Sequence, residues 1–371
     1  MPLNNAFTFF HGERTLRTYI LSFLFVIVSL TFLQSQAAFA IDTKLLNEAK
    51  LQTSWQSAIA LNPDEKVQRV TLLGDNIYIL TDNNYLFCLN RNDGTPVFSI
   101  SAAEKSLPVS EPVDFNNIVY FIAGNKLVAI NLTSGEELYR KKLDYPLQAR
   151  PAVNAQHYYF PGLDTLLHVT NRDLLQVFKI NSDDRSHITS VVSNEDQIVF
   201  ATFKGGVFAM DANQPIRRWQ FNTVGAIEAP LTKTEDAIYV SGKDTNLYKL
   251  NAEKGELDWK FYTGCFLSTP ARVTKTTVYQ YAPNKGLYAI DPNSGKQTWL
   301  LPDGIELLAE NNGTAYVFDK KNVCVVMDNA NAEKIYTINF AQVTAYTANT
   351  QDAKLYIMEG KNIICIEPMQ K

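Results

Sequence analysis

The stretch PARVTKTTVYQYAPNKGLYAIDPNSGKQTW, residues 270–299, decides the fold of this chain. It contains four short runs rich in β-branched and aromatic residues, separated by turns of Asn, Asp, Gly, Pro and Lys, which is the pattern of a four-stranded meander. Residues 230–259 repeat the arrangement 40 positions earlier, and both stretches end in tryptophan. A period of about 40 residues with this content predicts an array of small sheets, as in a propeller.

The aromatic residue that closes this stretch recurs along the whole chain and predicts a structural role in every repeat. All four tryptophans occupy this position, and the complete set is Trp55, Phe98, Tyr139, Phe178, Trp219, Trp259, Trp299 and Tyr336. A second register is formed by apolar triplets, whose central residues are Tyr78, Tyr120, Tyr159, Val199, Tyr239, Tyr279, Tyr316 and Tyr356. Two independent registers of eight positions each indicate eight repeats.

The two ends of the chain predict how the array closes. The eighth triplet has no repeat aromatic after it, because the chain ends at Lys371. Trp55, in contrast, precedes the first triplet. We therefore predict an all-β, eight-bladed β-propeller of four-stranded blades over residues 53–371, with the ring closed by an N-terminal strand near Trp55. Closure of this kind removes an open sheet edge.

Glycine and proline mark the same places in several repeats. Glycine stands four residues before the aromatic in four units, at Gly94, Gly135, Gly255 and Gly295, where it suits a tight hairpin turn. Proline stands at the start of the first strand in four units, at Pro112, Pro151, Pro230 and Pro270, where the inner strand edge is unpaired. The third, fourth and seventh units lack the glycine and are the less regular ones.

The N-terminal segment predicts export. Arg14 and Arg17 precede an apolar run at residues 19–33, and the segment ends in Ala38-Phe39-Ala40. This is the pattern of a signal peptide over residues 1–40, and it predicts a periplasmic or secreted protein without a stable membrane span after cleavage. The alternative is an anchor formed by residues 19–33, although this run is shorter than a spanning helix needs. Residues 41–52 are expected to be a linker, and a short helical lead-in over residues 41–51 is the alternative.

Composition and motifs favour a protein without catalysis. The net charge is −4 at pH 7, so no nucleic-acid footprint is expected. The four cysteines have no metal-site spacing, and no nucleophile elbow, phosphate loop or zinc-protease motif is present. We therefore expect no catalytic residues, no metal, no cofactor and a monomer.

Charged residues near the starts of the predicted channel-lining strands are the candidates for a ligand site. They alternate in sign, and they are Arg69, Glu111, Arg150, Glu228, Arg272 and Glu306. A channel of mixed charge either binds a small ligand or is simply solvated, and the sequence leaves both interpretations open.

The repeat from Pro270 to Trp299, and less closely that from Pro230 to Trp259, resembles the pyrroloquinoline-quinone-type (PQQ-like) propeller repeat. Two groups share this repeat. Quinoprotein dehydrogenases carry the quinone, a calcium ion, long insertions and often two adjacent cysteines. The second group, the outer-membrane protein assembly factor B (BamB) family, consists of cofactor-free periplasmic scaffolds.

This chain is more similar to the scaffold group, since it has no adjacent cysteines and no long insertion. The resemblance implies a non-catalytic protein-binding propeller whose partner is an envelope protein, such as an outer-membrane assembly component; the alternative is a quinone-using enzyme or ligand-binding propeller. The lipid-attachment cysteine of the scaffold family is absent near residue 40. Exposed turn residues of the irregular units, namely Arg172, Asp183 and Arg185, are candidate partner contacts.

Overall fold

Each repeat of about 40 residues forms one antiparallel sheet in the computed structural model, which describes residues 41 and 43–369. The apolar triplets lie in the second strand of each sheet, where almost every residue is buried. Both sides of that strand are buried because the sheets of the neighbouring repeats cover it. The described residues contain eight such four-stranded sheets, which confirms the predicted all-β, eight-bladed propeller. The predicted signal segment, residues 1–40, lies outside the described residues.

The strands of a blade are called A to D in their order from the channel to the rim. Those of blades 1 to 4 are β2 (Val67–Leu73), β3 (Asn76–Thr81), β4 (Tyr85–Asn90), β5 (Pro96–Ser101); β6 (Val113–Phe115), β7 (Ile118–Ala123), β8 (Lys126–Asn131), β9 (Glu137–Lys142); β10 (Ala152–Val153), β11 (His157–Pro161), β12 (Leu166–Asn171), β13 (Gln176–Asn181); and β14 (Ile188–Ser193), β15 (Gln197–Thr202), β16 (Gly206–Asp211), β17 (Arg217–Asn222).

Those of blades 5 to 8 follow the same order, except that the rim strand of blade 8 is the first strand of the chain. They are β18 (Thr232–Lys233), β19 (Ala237–Ser241), β20 (Asn246–Asn251), β21 (Leu257–Tyr262); β22 (Arg272–Val273), β23 (Val278–Ala282), β24 (Gly286–Ile290), β25 (Gln297–Leu301); β26 (Gly304–Asn311), β27 (Thr314–Asp319), β28 (Val323–Asp328), β29 (Glu333–Asn339); and β30 (Ala345–Thr347), β31 (Leu355–Glu359), β32 (Asn362–Pro368), β1 (Leu51–Ala58).

The pairing of β1 with β32 closes the ring, as predicted from Trp55. The two strands are antiparallel from the Leu51–Pro368 pair to the Ala58–Asn362 pair, and Trp55 lies opposite Cys365. The pairing joins the two ends of the described chain within one sheet. The propeller is therefore held shut by backbone hydrogen bonds between its first and last strands.

Residues 41–52 are not a linker, which corrects the prediction. They contain the helix α1 (Thr43–Glu48) and the first two residues of β1, and the side chains of Ile41, Leu46 and Leu51 are buried against blades 7 and 8. The Tyr336 hydroxyl donates to the Glu48 carboxylate at 2.5 Å. Blade 8 has no turn between its third and fourth strands, because they come from opposite ends of the chain, and α1 packs where that turn would be. A helix of six residues is too short to give a periodic signal in the sequence.

The chain direction gives the ring two different faces. The loops from strand D to the next strand A and the turns between strands B and C lie on one side, here called the DA face. The turns between strands A and B and between strands C and D lie on the other side, here called the CD face. In every blade a register shift of the rim strand occurs at the repeat aromatic, as between Lys249 and Leu250 opposite Trp259. Such bulges re-aim a side chain, and here they direct the aromatic toward the next blade.

The repeat aromatic of one blade packs on the turn between strands C and D of the following blade. The indole Nε1 of Trp219 donates to the Ala252 carbonyl at 3.1 Å, and that of Trp259 donates to the Pro292 carbonyl at 3.0 Å. Gly255 lies directly on the Trp219 ring, where a Cβ atom would be 2.5 Å from ring carbons. The turn glycine thus has two functions: it adopts φ of +71°, and it leaves room for the indole of the preceding blade.

A substitution of Gly255 separates these two functions. We expect Gly255→Ala to lower the free energy of unfolding by about 1–3 kcal/mol more than Gly360→Ala, since only the first methyl group overpacks the contact with Trp219. Gly360 is a matched control, because it also has positive φ, at +56°, and no atom lies within 4 Å of the place that a Cβ would occupy. Urea unfolding followed by far-UV circular dichroism measures the difference. Equal losses in the two variants would show that the backbone conformation alone requires glycine.

The buried cysteines are core residues. Cys88, Cys324 and Cys365 are fully buried, and all four thiols are free. Burial raises the pKa of the Cys88 and Cys365 thiols to about 12. These thiols therefore stay protonated at neutral pH and behave as small apolar side chains.

Candidate functional site

Two cavities lie beside the inner ends of the blades and share four lining residues. The smaller cavity, about 280 Å³, lies toward the DA face and is lined by residues such as Pro108 and Gln148. The larger cavity, about 1040 Å³, lies toward the CD face and reaches Glu195 and Glu235. Both cavities are lined by Glu111, Arg150, Pro230 and Leu231. These four residues mark the level at which the two halves of the channel meet.

The charged residues predicted at the channel are largely paired with one another. The Arg69 guanidinium donates to the carbonyl oxygens of Val109 and Ser110 at 3.3 and 3.0 Å. Burial lowers the pKa of Arg69, and the nearby Glu111 carboxylate opposes this effect. Glu111 itself lies 3.7 Å from the Arg150 guanidinium. These three residues come from neighbouring blades: Arg69 lies in strand A of blade 1, and Glu111 and Arg150 lie two residues before strand A of blades 2 and 3, so their signs alternate around the axis.

A second channel pair is more tightly bonded. Arg272 donates from Nε and Nη2 to the two carboxylate oxygens of Glu306, at 3.1 and 2.7 Å. Burial disfavours the charged guanidinium, but Glu306 and more distant acidic groups outweigh it and hold the pKa of Arg272 above its ordinary value. The remaining candidate, Glu228, is exposed on the DA face and pairs with Lys243 at 2.7 Å. Four of the six charged residues therefore form two ion pairs with each other, Glu111 with Arg150 and Arg272 with Glu306.

The described channel residues contain no cluster of metal-binding side chains. Over residues 41 and 43–369, no three His, Cys, Asp or Glu side chains lie close enough together to hold a metal ion. The bidentate bond to Glu306 occupies Nε and Nη2 of the Arg272 guanidinium. The three histidines of the propeller lie in the blades: His157 and His168 are buried, and His187 stacks on Phe203 at 4.7 Å.

The DA face carries loops whose backbones are firmly held. In the loop from blade 4 to blade 5, the Thr223 hydroxyl donates to the Gly225 carbonyl at 2.6 Å, and the Val224 amide donates to the Asp244 carboxylate at 3.0 Å. The next loop repeats this construction 40 residues later, where the Thr263 hydroxyl donates to the Cys265 carbonyl at 3.0 Å. Fixed loops of this kind can present side chains to a partner without a large ordering cost.

Several of these loops end in exposed apolar side chains. Val224 is 94% exposed and Phe266 is 66% exposed, so Val224 lies almost entirely in water and most of Phe266 does. The set on the DA face of blades 3 to 6, here called the apolar arc, consists of Leu163, Phe203, Val224, Tyr262 and Phe266. The other exposed apolar residues include Leu138 and Ile335 on rim strands, Leu175 and Ile216 in turns of the CD face, and Leu107 in the loop before blade 2. A run over four consecutive blades is the kind of surface that marks a protein interface.

The three partner-contact candidates from the sequence have different positions. Arg172 is half-buried between blades 2 and 3: its guanidinium lies 4.1 Å from the centre of the Tyr158 ring and donates to the Tyr120 hydroxyl. It joins two blades rather than contacting a partner, which corrects that expectation. Asp183 is exposed and pairs with Arg217. Arg185 is exposed with φ of +48°, so it remains a candidate contact residue.

The structure also reveals a residue that the sequence pattern did not single out. Arg91 follows Asn90 in a turn, yet its side chain is buried at the seam between blades 8 and 1. It occupies the same turn position as Arg172 in blade 3. A signal was present, because only blades 1 and 3 have an arginine at this turn position, where the other repeats have Leu132, Ala212, Ala252, Pro292 and Asn329. Only the neighbouring blade explains why Arg91 is buried.

The comparisons with known proteins agree with this geometry. The family described as outer membrane protein assembly factor BamB matches residues 168–363, just over half of the chain. No curated protein matches the chain at a significant level. Among the described residues, no helix has the length and apolar character needed to cross a membrane.

Solved structures show the same fold at low sequence identity. BamB from Moraxella catarrhalis is 11% identical, with a TM-score of 0.63 over 85% of this chain and 97% of that one. The computationally designed Ika8 protein is 12% identical, with a TM-score of 0.64 over 85% of this chain and 99% of that one. At such identities the likeness concerns the fold alone. From the family match over its repeats and the eight closed blades, we conclude that this chain belongs to the BamB family of PQQ-like propellers.

Proposed function

We propose that this protein is a non-catalytic scaffold of the cell envelope that binds another protein through its DA face. The observation that carries the proposal is the apolar arc, where exposed apolar side chains stand on turns, loops and one strand end of the DA face, from blade 3 to the loop before blade 6. Removing such side chains from water provides the main driving force for association, and aromatic residues are enriched at the centres of interfaces. The family match supports an envelope partner, such as a component of outer-membrane protein assembly.

The absence of catalysis is part of the proposal. The channel arginines are bonded to backbone carbonyls or carboxylates, so the polar groups along the axis serve to hold the blades together. Periplasmic or secreted localisation follows from the N-terminal sequence pattern and accords with a family named for outer-membrane assembly. A rigid ring with exposed loops is a general platform for binding, and here the arc distinguishes one face from the other.

Substitutions at the tips of the arc test the proposal. We expect Val224→Asp combined with Phe266→Asp to reduce capture of envelope proteins at least tenfold, since charged groups would have to be desolvated at the centre of the interface. Both side chains are exposed, so the melting temperature should stay unchanged. Ile216→Asp is the matched control, because Ile216 is also exposed but lies on the CD face. Pull-down with quantitative mass spectrometry gives the readout.

Two results would contradict the proposal. The first is equal capture of the same envelope proteins by the wild type and by the Val224/Phe266 variant. The second is dye-reducing turnover when the purified protein is supplied with pyrroloquinoline quinone and calcium, which would favour the quinoprotein alternative. Neither result depends on the identity of the partner.

A further inference from the structure

One place on the DA side of the rim carries uncompensated positive charge. In blade 2, Lys126 opens strand C and lies directly opposite Lys142 at the end of strand D. Lys105 lies in the preceding loop. Lys141, the neighbour of Lys142, points to the other face of the sheet, and its ammonium lies 5.0 Å from the centre of the Tyr139 ring. Lys105, Lys126 and Lys142 are exposed, and none of the three has a carboxylate of the described chain within ion-pair distance. These three residues are here called the basic cluster.

The fold brings these three lysines to the same edge of blade 2. Asn84 donates from Nδ2 to the carbonyl oxygens of Glu104 and Leu107, both at 2.7 Å, which fixes the loop that contains Lys105. The Gly124 amide donates to the Pro108 carbonyl at 2.8 Å and joins this loop to the turn before Lys126. The cluster is therefore a defined surface built on a held loop and two paired strands.

Opposed lysines are unusual for this position in the propeller. The corresponding pairs of five other blades carry no charge, namely Tyr85 and Ser101, Leu166 and Asn181, Gly206 and Asn222, Asn246 and Tyr262, and Val323 and Asn339. Like charges directly opposite each other on paired strands are destabilising. An anionic surface would relieve the repulsion. Because the whole chain has a net charge of −4, the basic cluster is a local exception.

We propose that the basic cluster binds an anionic phospholipid surface. Its cations are all lysines, which interact with lipid phosphates as point charges, whereas protein interfaces are enriched in arginine and depleted in lysine. Two carboxylates, Glu104 and Asp144, border the cluster and leave it a net positive charge. Leu107, which is 41% exposed, lies beside it and adds an apolar contact at the same edge. The cluster lies on blade 2, whereas the apolar arc begins at blade 3, so lipid contact leaves the arc accessible.

Vesicle binding tests this assignment. The probes are vesicles of phosphatidylcholine alone and vesicles that also contain phosphatidylglycerol, and cosedimentation gives the affinity. We expect binding to depend on phosphatidylglycerol and to weaken as salt is added. Lys126→Asn combined with Lys142→Asn should weaken it about thirtyfold, at about fivefold for each lysine near an anionic surface. The neutral vesicles measure any binding that does not depend on charge.

The variants are chosen so that misfolding cannot imitate the effect. Asparagine is already present at the equivalent positions of blades 5 and 7, and removing the opposed charges should leave the melting temperature unchanged or raise it. Lys254→Asn with Lys296→Asn is the control, since both lysines are exposed in turns of the CD face; its affinity should stay within about twofold of wild type.

Three outcomes would overturn the lipid assignment. One is equal sedimentation of the wild type and the Lys126/Lys142 variant with phosphatidylglycerol vesicles. Another is wild-type binding that phosphatidylglycerol does not increase. The third is binding to a polyglutamate peptide without binding to vesicles, which would assign the cluster to an acidic protein segment instead.

Discussion

Trp55→Ala is expected to lower the free energy of unfolding by about 3 kcal/mol and to open the ring at its seam. Truncation of a tryptophan in a core costs about 3–5 kcal/mol, and Trp55 belongs at the lower end because it is only half-buried. Three contacts are lost: the hydrogen bond from Nε1 to the Arg91 carbonyl at 3.1 Å, the packing on Gly94, and the contact with the Tyr356 ring at 6.1 Å.

The part of the ring that loses protection first shows whether Trp55 closes the ring or only packs in the core. Hydrogen exchange should become faster in β1 and β32 before it does in blades 3 to 6, because the seam is the only junction among the described blades in which two strands far apart in sequence share one sheet. Ser54→Ala, at the exposed neighbouring residue, should leave both stability and exchange unchanged. An unaltered unfolding midpoint for Trp55→Ala would show that the ring does not depend on this residue for closure.

Arg91→Met is expected to lower the free energy of unfolding by about 3 kcal/mol. Arg91 lies at the same seam, between blades 8 and 1. The Arg91 side chain is almost fully buried and ion-pairs with Asp352 at 2.6 Å. It also donates to the Tyr356 hydroxyl and the Gly74 carbonyl, both at 3.2 Å, and to Gln351. Removing one partner of a buried charged pair typically costs about 3–5 kcal/mol, since the groups left behind lose their partners. Because Asp352 is partly exposed, its carboxylate can still be hydrated in the variant. We therefore expect a loss at the lower end of this range.

An exposed ion pair provides the comparison for this prediction. Arg218 and Asp211 are 2.8 Å apart and lie at the surface, and Arg218→Met should cost less than about 1 kcal/mol. Urea unfolding of Arg91→Met and Arg218→Met compares the two losses in the free energy of unfolding. Because Trp55 bonds to the backbone of Arg91, the double variant should lose less stability than the two single losses together. Similar costs for Arg91→Met and Arg218→Met would contradict a specific role of Arg91 at the seam.

Most of the architecture could be predicted from the sequence because a propeller repeats one four-stranded unit with the same local sequence pattern. Strand length, turn chemistry and the buried triplet are set within about 40 residues, and the repetition reveals them eight times. The single unmatched aromatic, Trp55, was enough to predict closure by the first strand. The helix α1 was only the alternative prediction for residues 41–51, because six residues give a weak periodic signal and the helix packs where the closed ring lacks a turn between strands C and D.

The candidate sites were predicted much less well. The charged channel residues could be identified from strand starts, but their pairing as Arg272 with Glu306, or Arg69 with backbone carbonyls, depends on which blades are neighbours. Arg172 was expected to be an exposed turn residue, whereas its guanidinium stacks on Tyr158 of the same blade and bonds to Tyr120 of blade 2. Long polar side chains can reach across a blade boundary, and sequence spacing does not report which partner they meet.

The sequence by itself determined the blade, the number of blades and the strand that closes the ring, since these follow from local periodicity and from one missing strand. The tertiary structure decided which side chains face a neighbour and which face water. Val224 and Phe266 are ordinary loop residues in the sequence, and Lys126 and Lys142 are 16 positions apart. The ring places the first two on one face and the second two directly opposite each other, because pairing and blade order, rather than local sequence, fix the distances between them.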